Sequence, residues 1–243
     1  MPLALLTLLI LAAAAPTADA IVPFTEAPDE SGGIPILMYH HVCAALATVY
    51  NVPPAVFYNQ LLQLYEAGFV PISLSDYYED AFRVPAGRKP LVLTFDDGFP
   101  DNFRLLPDGS IDPDCAVGVL EAFAREHPDF GHTAVFFLNA GVWVVPFGDA
   151  ATAGDKLRWL VENGYEIGNH TTDHVNLRRC DSFQVRRQIG LCQAALYDLC
   201  PELVGRVRFF AYPTAGRPRT PRASRPSRPA ASTGWTTGWT SPS

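Results

Sequence analysis

Between about residues 34 and 215, short apolar runs alternate with amphipathic stretches, a rhythm that predicts an α/β domain with a largely parallel sheet. The runs at 34–39, 69–72, 91–95, 133–138, 166–168 and 207–211 read as strands. Helices are expected at 55–67, 75–82, 114–126, 152–163 and 182–199, where apolar residues recur every three or four positions. In the first, Phe57, Leu61, Leu64 and Tyr65 share a face and Gly68 supplies a stop; in the fourth, Leu157, Leu160 and Val161 do the same before Gly164. About six strands fall short of the eight in a closed (β/α) barrel, so the expected architecture is an incomplete one.

The ends differ from this body. Residues 3–15 are apolar except for Thr7 and lead to Ala18-Asp19-Ala20, the small-x-small pattern of a signal-peptidase site, although no Lys or Arg precedes them. Residues 1–20 are therefore expected to be a signal peptide, too short for the roughly 20 residues of a membrane span. Export to the periplasm, cell envelope or medium follows, and five cysteines suit an oxidising compartment. None forms a Cys-x-x-Cys, so no structural zinc site is expected. Cys192 and Cys200 in one helix would lie about 12 Å apart, beyond disulfide reach.

Charge sharpens the division. With 13 of the 18 Lys and Arg against all 25 Asp and Glu, residues 1–216 carry −12, and the last 27 residues carry +5. An acidic body argues against nucleic acid as a partner. Residues 216–243 are rich in Arg, Pro, Ser and Thr and lack Val, Ile, Leu and Met, so they are expected to form a disordered tail.

Two stretches carry candidate chemistry. The run Pro90-Leu91-Val92-Leu93-Thr94-Phe95 ends in Asp96-Asp97-Gly98, two carboxylates at the C-terminal end of a buried strand, where α/β folds place active sites. On an extended chain the two would point to opposite sides and could take different roles. An Asp-Gly turn with a capping Asp explains the same residues without catalysis. The second stretch, Asn169-His170-Thr171-Thr172-Asp173-His174, follows the strand 166–168. If it turns helically, His170 and His174 share a face, and two His with one carboxylate form an ordinary shell for Zn²⁺ or another divalent metal. Such a pair can also be incidental, but its place after a strand matches that of Asp96 and Asp97.

Thr94-Phe95-Asp96-Asp97-Gly98 followed by His170-Thr171-Thr172-Asp173-His174 resembles the polysaccharide deacetylases, metal-dependent enzymes that remove acetyl groups from sugar polymers. The opening Pro35-Ile36-Leu37-Met38-Tyr39-His40-His41 looks like the branch acting on poly-N-acetylglucosamine, and the resemblance covers about residues 34–215. It implies a distorted (β/α) barrel, Asp96 as general base, Asp97, His170 and His174 as ligands of a divalent ion, with Zn²⁺ expected, and an N-acetylglucosamine polymer as substrate. His40 and His41 follow a strand and either line the same cleft or pack at the strand end. Asp101 and Asn102 are expected to fix a loop, and His127 and His132 to lie on the surface.

The family's third motif aligns with Phe210-Ala211-Tyr212-Pro213-Thr214-Ala215, which makes Tyr212, Pro213 and Thr214 expected substrate contacts, but Thr214 and Ala215 replace a Tyr-Gly. No His follows His174 and no Asp or Glu follows Glu202, so the family's C-terminal acid and its partner are not supplied there. The resemblance thus implies a frame-shifted or miscalled end from Thr214, poor stability and weak activity. Recovery of Tyr-Gly and Leu-x-x-His in another reading frame near codon 214 would test this. Two other readings use the same residues: a non-catalytic carbohydrate-binding relic, and an amidohydrolase of small non-sugar amides. Tyr39 and Phe99 could stack on sugar rings or pack in the core.

Overall fold

The computed structural model describes residues 33–45, 48–81 and 84–214. The expected signal peptide and basic tail lie outside them. The described residues form seven strands and five α-helices in the order β1 (Ile36–Tyr39), β2 (His41–Val42), β3 (Asn51–Val52), α1 (Pro54–Glu66), β4 (Phe69–Pro71), α2 (Leu74–Glu79), β5 (Lys89–Asp97), α3 (Ala116–Glu126), β6 (Val135–Leu138), α4 (Ala153–Glu162), β7 (Glu166–Asn169) and α5 (Ser182–Leu199).

Local chemistry sets the helix ends. Pro54 opens α1 with its φ already helical, and Phe57 and Leu61 bury one face before Gly68 ends the run at φ 83°. Asp181 and Gln184 close a reciprocal capping box on α5, which starts and ends where its pattern predicts. Helix α2 stops three residues early, because Asp80 turns left-handed at φ 51°. Helix α3 starts two residues late, where Asp112 Oδ1 accepts from Asp114 N at 2.8 Å and Cys115 Sγ accepts from Gly118 N at 3.4 Å.

The main sheet is parallel throughout. β5 is its longest member and runs beyond the expected 91–95 at both ends. β4 pairs with its first three residues, β1 with Val92 to Phe95, and β6 with Thr94 to Asp97, while β7 continues outward from β6. β5 is buried almost end to end, as befits a parallel strand covered on both faces. Leu91, Leu93, Phe95, Phe136 and Leu138 enter a large core with Phe57, and the Phe95 and Phe136 rings stack at 4.9 Å. Val92, Val135 and Phe137 point the other way into a smaller core with Val70 and Ile72.

The expected strand 207–211 is reduced to a single parallel bridge of Phe210 with Asn169. Among the described residues the sheet does not close into a barrel. The two-residue pair β2 and β3 escaped the sequence pattern because it is too short to show a period. All five cysteines are thiols, so Cys192 and Cys200 do not bridge. No described helix is long and apolar enough to cross a membrane.

Candidate metal centre

β5 and β7 flank β6, and the loops leaving their C-terminal ends meet. Asp97 closes β5, and His170 and His174 lie in the loop after β7; one ligand atom from each falls within 4.8 Å of the others. Asp97 Oδ1 lies 3.3 Å from His170 Nε2 and 3.1 Å from His174 Nε2. That oxygen is buried and accepts no hydrogen bond. An orphaned carboxylate oxygen is costly, and a cation shared with two imidazoles would satisfy it. His170 Nδ1 meets the Ala211 carbonyl at 3.1 Å. A carbonyl only accepts, so Nδ1 holds the proton and Nε2 offers its lone pair to an ion. Two imidazole nitrogens and a carboxylate are the donor set of a divalent transition metal with positions left open.

The backbone is bent to make this set. Asp97, Thr171 and His174 have φ of 75°, 71° and 49°, left-handed values that only surrounding structure can impose on such residues. At Asp97 the bend cancels the strand alternation: Asp96 Oδ2 lies 3.9 Å from His170 Nε2, so both carboxylates reach one cleft instead of opposite sides. Gly98 continues the turn at φ 71°, where a Cβ would come within 2.7 Å of Leu138 Cδ2. Residues 170–174 do not turn helically either. The loop brings the two imidazoles together, with ring centroids 5.3 Å apart.

Three polar residues hold that loop. Asn139 Nδ2 donates to the carbonyls of His170 at 2.5 Å and Thr171 at 3.0 Å. Asn169 Oδ1 accepts from Thr171 N at 3.0 Å. From α5, Gln188 accepts from Asp173 N at 3.0 Å and donates to Asp173 Oδ2 at 2.6 Å. Sequence reasoning missed Asn139, Gln188 and the Ala211 carbonyl. The readable signal was Gln188 itself, a polar residue in the buried α5 row with Cys192 and Leu196.

Burial dominates the electrostatics of Asp96 and pushes its carboxyl up to about 6, with His170 opposing and Asp97 adding to the rise. Burial also works against Asp97, yet His170, His174 and His40 outweigh it and hold its carboxyl below the ordinary carboxylate range. Burial lowers the His40 imidazole, and Asp97 partly offsets this.

These groups border a cleft of about 560 Å³. Asp96, Asp97 and His174 lie in its wall with His40, Tyr212, Pro213 and Thr214, so every candidate site residue lines it except His170, which is buried beneath. His41 also lines it, stacked on Phe99 at 3.6 Å and hydrogen-bonded through Nδ1 to Asp101 Oδ2 at 2.8 Å. Asn102 Nδ2 donates to the His40 carbonyl at 2.5 Å, so Asp101 and Asn102 do fix this loop. Tyr39 packs on Phe57 and Phe95 in the core. His127 packs against Tyr65 and Phe123, and His132 Nε2 meets the Asn163 carbonyl, both away from the cleft.

The family model described as polysaccharide deacetylase matches residues 83–226, more than half of the chain. The chain belongs to the polysaccharide deacetylase family. Within it, the chain is 28% identical over 121 residues to a chitooligosaccharide deacetylase of Bradyrhizobium sp. (strain ANU 289), covering 50% of this chain and 45% of that protein. It is 28% identical over 127 residues to one of Sinorhizobium fredii, covering 52% and 48%. The chain thus spans about half the length of these relatives. Among solved structures, the Streptococcus pyogenes deacetylase PplD, in complex with acetate, superposes with a TM-score of 0.58 at 22% identity, covering 76% of this chain and 75% of that one. This likeness extends the family assignment to the deacetylase fold.

Proposed function

We propose that the protein is a metal-dependent hydrolase that removes acetyl groups from N-acetylglucosamine-containing polysaccharide, and that it is exported, as the apolar run at 3–15 suggests. The observation that carries this is the convergence of Asp97, His170 and His174 in an open cleft beside Asp96. The Asp96 carboxylate makes no hydrogen bond with the described residues, and its Oδ2 lies 3.9 Å from His170 Nε2. Asp97, His170 and His174 would hold the ion, with Zn²⁺ the fitting choice for two imidazoles and one carboxylate. When bound, it supplies polarisation of the acetyl carbonyl and a lowered pKa for water.

The protein's own groups do the rest. Asp96 accepts the proton of the attacking water as the new C–O bond forms. His40, which also lines the cleft, would give a proton to the sugar nitrogen as the C–N bond breaks, leaving acetate and a free amine. Tyr212 and Phe99 border the cleft and would give aromatic surface to a sugar, with Pro213 and Thr214 beside them as substrate contacts.

The test is acetate release from N-acetylglucosamine oligomers by the full chain, stripped with chelator and resupplied with Zn²⁺. Release should vanish on stripping and return on addition. Asp96→Asn should lower it by about 10²–10⁴ while Zn²⁺ binding persists. Release that ignores the chelator, or an Asp96→Asn protein at wild-type rate, overturns the reading. A protein that binds oligomers and Zn²⁺ yet releases no acetate would instead be the non-catalytic relic.

A further inference from the structure

A second pocket, of about 590 Å³, lies between the 104–109 loop, the 146–149 turn and the start of α4. It shares no lining residue with the metal cleft. An intervening depression walled by Phe99, Pro100, Gly148 and His174 borders both. Lys156 of α4 lines the second pocket and is only 5% exposed. Its amine makes no hydrogen bond or ion pair with any described residue.

The stem of Lys156 is buried while its amine opens to the pocket, so the charge there has no partner from the described residues. Asp149, in the same wall, offsets part of this charge without forming an ion pair with the amine: its Oδ2 accepts from Thr152 Oγ1 at 2.7 Å and its Oδ1 from Ala151 N at 3.0 Å. Arg104 adds a second cation to the wall. It gives Nε–H to Asp112 Oδ2 at 2.6 Å, and its terminal amino groups make no hydrogen bond with described residues. Leu105, Pro107 and Phe147 complete the walls as apolar surface. Burial lowers the Lys156 pKa while Asp149 opposes the shift, so a bound anion would also favour the charged amine.

We infer that this pocket binds a small anionic group, a carboxylate or a phosphate, with Lys156 as its counter-charge and Arg104 as its second donor. The group is either a free anion or an acidic substituent on a polymer passing the cleft, and the chemistry of recognition is the same for both. The inference does not depend on the proposed deacetylation.

Isothermal titration of the full chain with inorganic phosphate, glucuronate and a glucuronate-bearing oligosaccharide tests it. At least one should bind saturably. Lys156→Met should weaken that binding by roughly 30-fold or more, the low end for truncating one partner of a buried charged pair. Lys156→Arg should restore much of it, and Asp97→Ala should leave it unchanged. Binding of the free anions supports a free ligand; binding of the oligosaccharide alone supports a polymer substituent. If Lys156→Met fails to fold by circular dichroism, Arg104→Gln takes its place, since Arg104 is partly exposed. No saturable binding of any of the three, or wild-type affinity in the folded variant, overturns the inference.

Discussion

The two segments that supply the candidate metal ligands are held in different ways. Asp96 and Asp97 end a nine-residue strand flanked by β1, β4 and β6, so the same hydrophobic contacts that build the core also fix the carboxylates. His170 and His174 lie beyond β7, a four-residue strand, and their loop is tied by side-chain hydrogen bonds from Asn139, Asn169 and Gln188. Half of the site is thus positioned by packing and half by a polar network. Damage to the second half should change metal affinity without unfolding the molecule.

The largest effect is expected from Asp97→Ala. It removes a ligand outright, so Zn²⁺ affinity by calorimetry should fall by more than the roughly 10- to 100-fold that loss of an outer partner costs. The metal-free melting temperature should fall as well, because the charge interactions that hold the Asp97 carboxyl low are lost and Ala tolerates φ 75° less well than Asp. Next comes Gln188→Leu, which keeps the buried volume and deletes both bonds to Asp173. Zn²⁺ affinity should drop by about 10- to 100-fold. Unchanged affinity would mean that packing alone places the histidine loop, and the contrast between the two halves would disappear. The smallest effect is expected from Asp181→Ala at the start of α5, which should cost about 1 kcal/mol of stability by thermal melting and leave Zn²⁺ affinity unchanged.

The same contrast separates what could be read in the sequence from what could not. Asp96 and Asp97 were legible because a long apolar run ending in carboxylates reports both a buried strand and its C-terminal end. The histidines were legible as a pair, but the geometry that joins them was not, since left-handed values at Thr171 and His174 leave no periodic trace. α5 begins and ends where its spacing predicts, and in the structure a capping box and Pro201 bracket it. Residues 207–211 carry the apolar character of a strand but form only one bridge, because strand pairing depends on a partner edge as well as on composition. Asn139 and Ala211 act through contacts to residues 31 and 41 positions away, a separation that no local pattern encodes.

Ala211 joins two events that would otherwise be separate. Its N–H donates to the Asn169 carbonyl at 3.1 Å, laying 209–211 along β7, and its carbonyl holds the His170 imidazole in the tautomer that can bind an ion. Docking of this segment and loading of an ion would therefore be linked equilibria, each favouring the other by the same free energy. If the undocked form does not bind, an ion at 100 times its Kd would stabilise the docked form by about 2.7 kcal/mol. The metal would then act as a clasp for the last described stretch of the chain, and protection of the Ala211 amide from hydrogen exchange should rise with Zn²⁺ concentration.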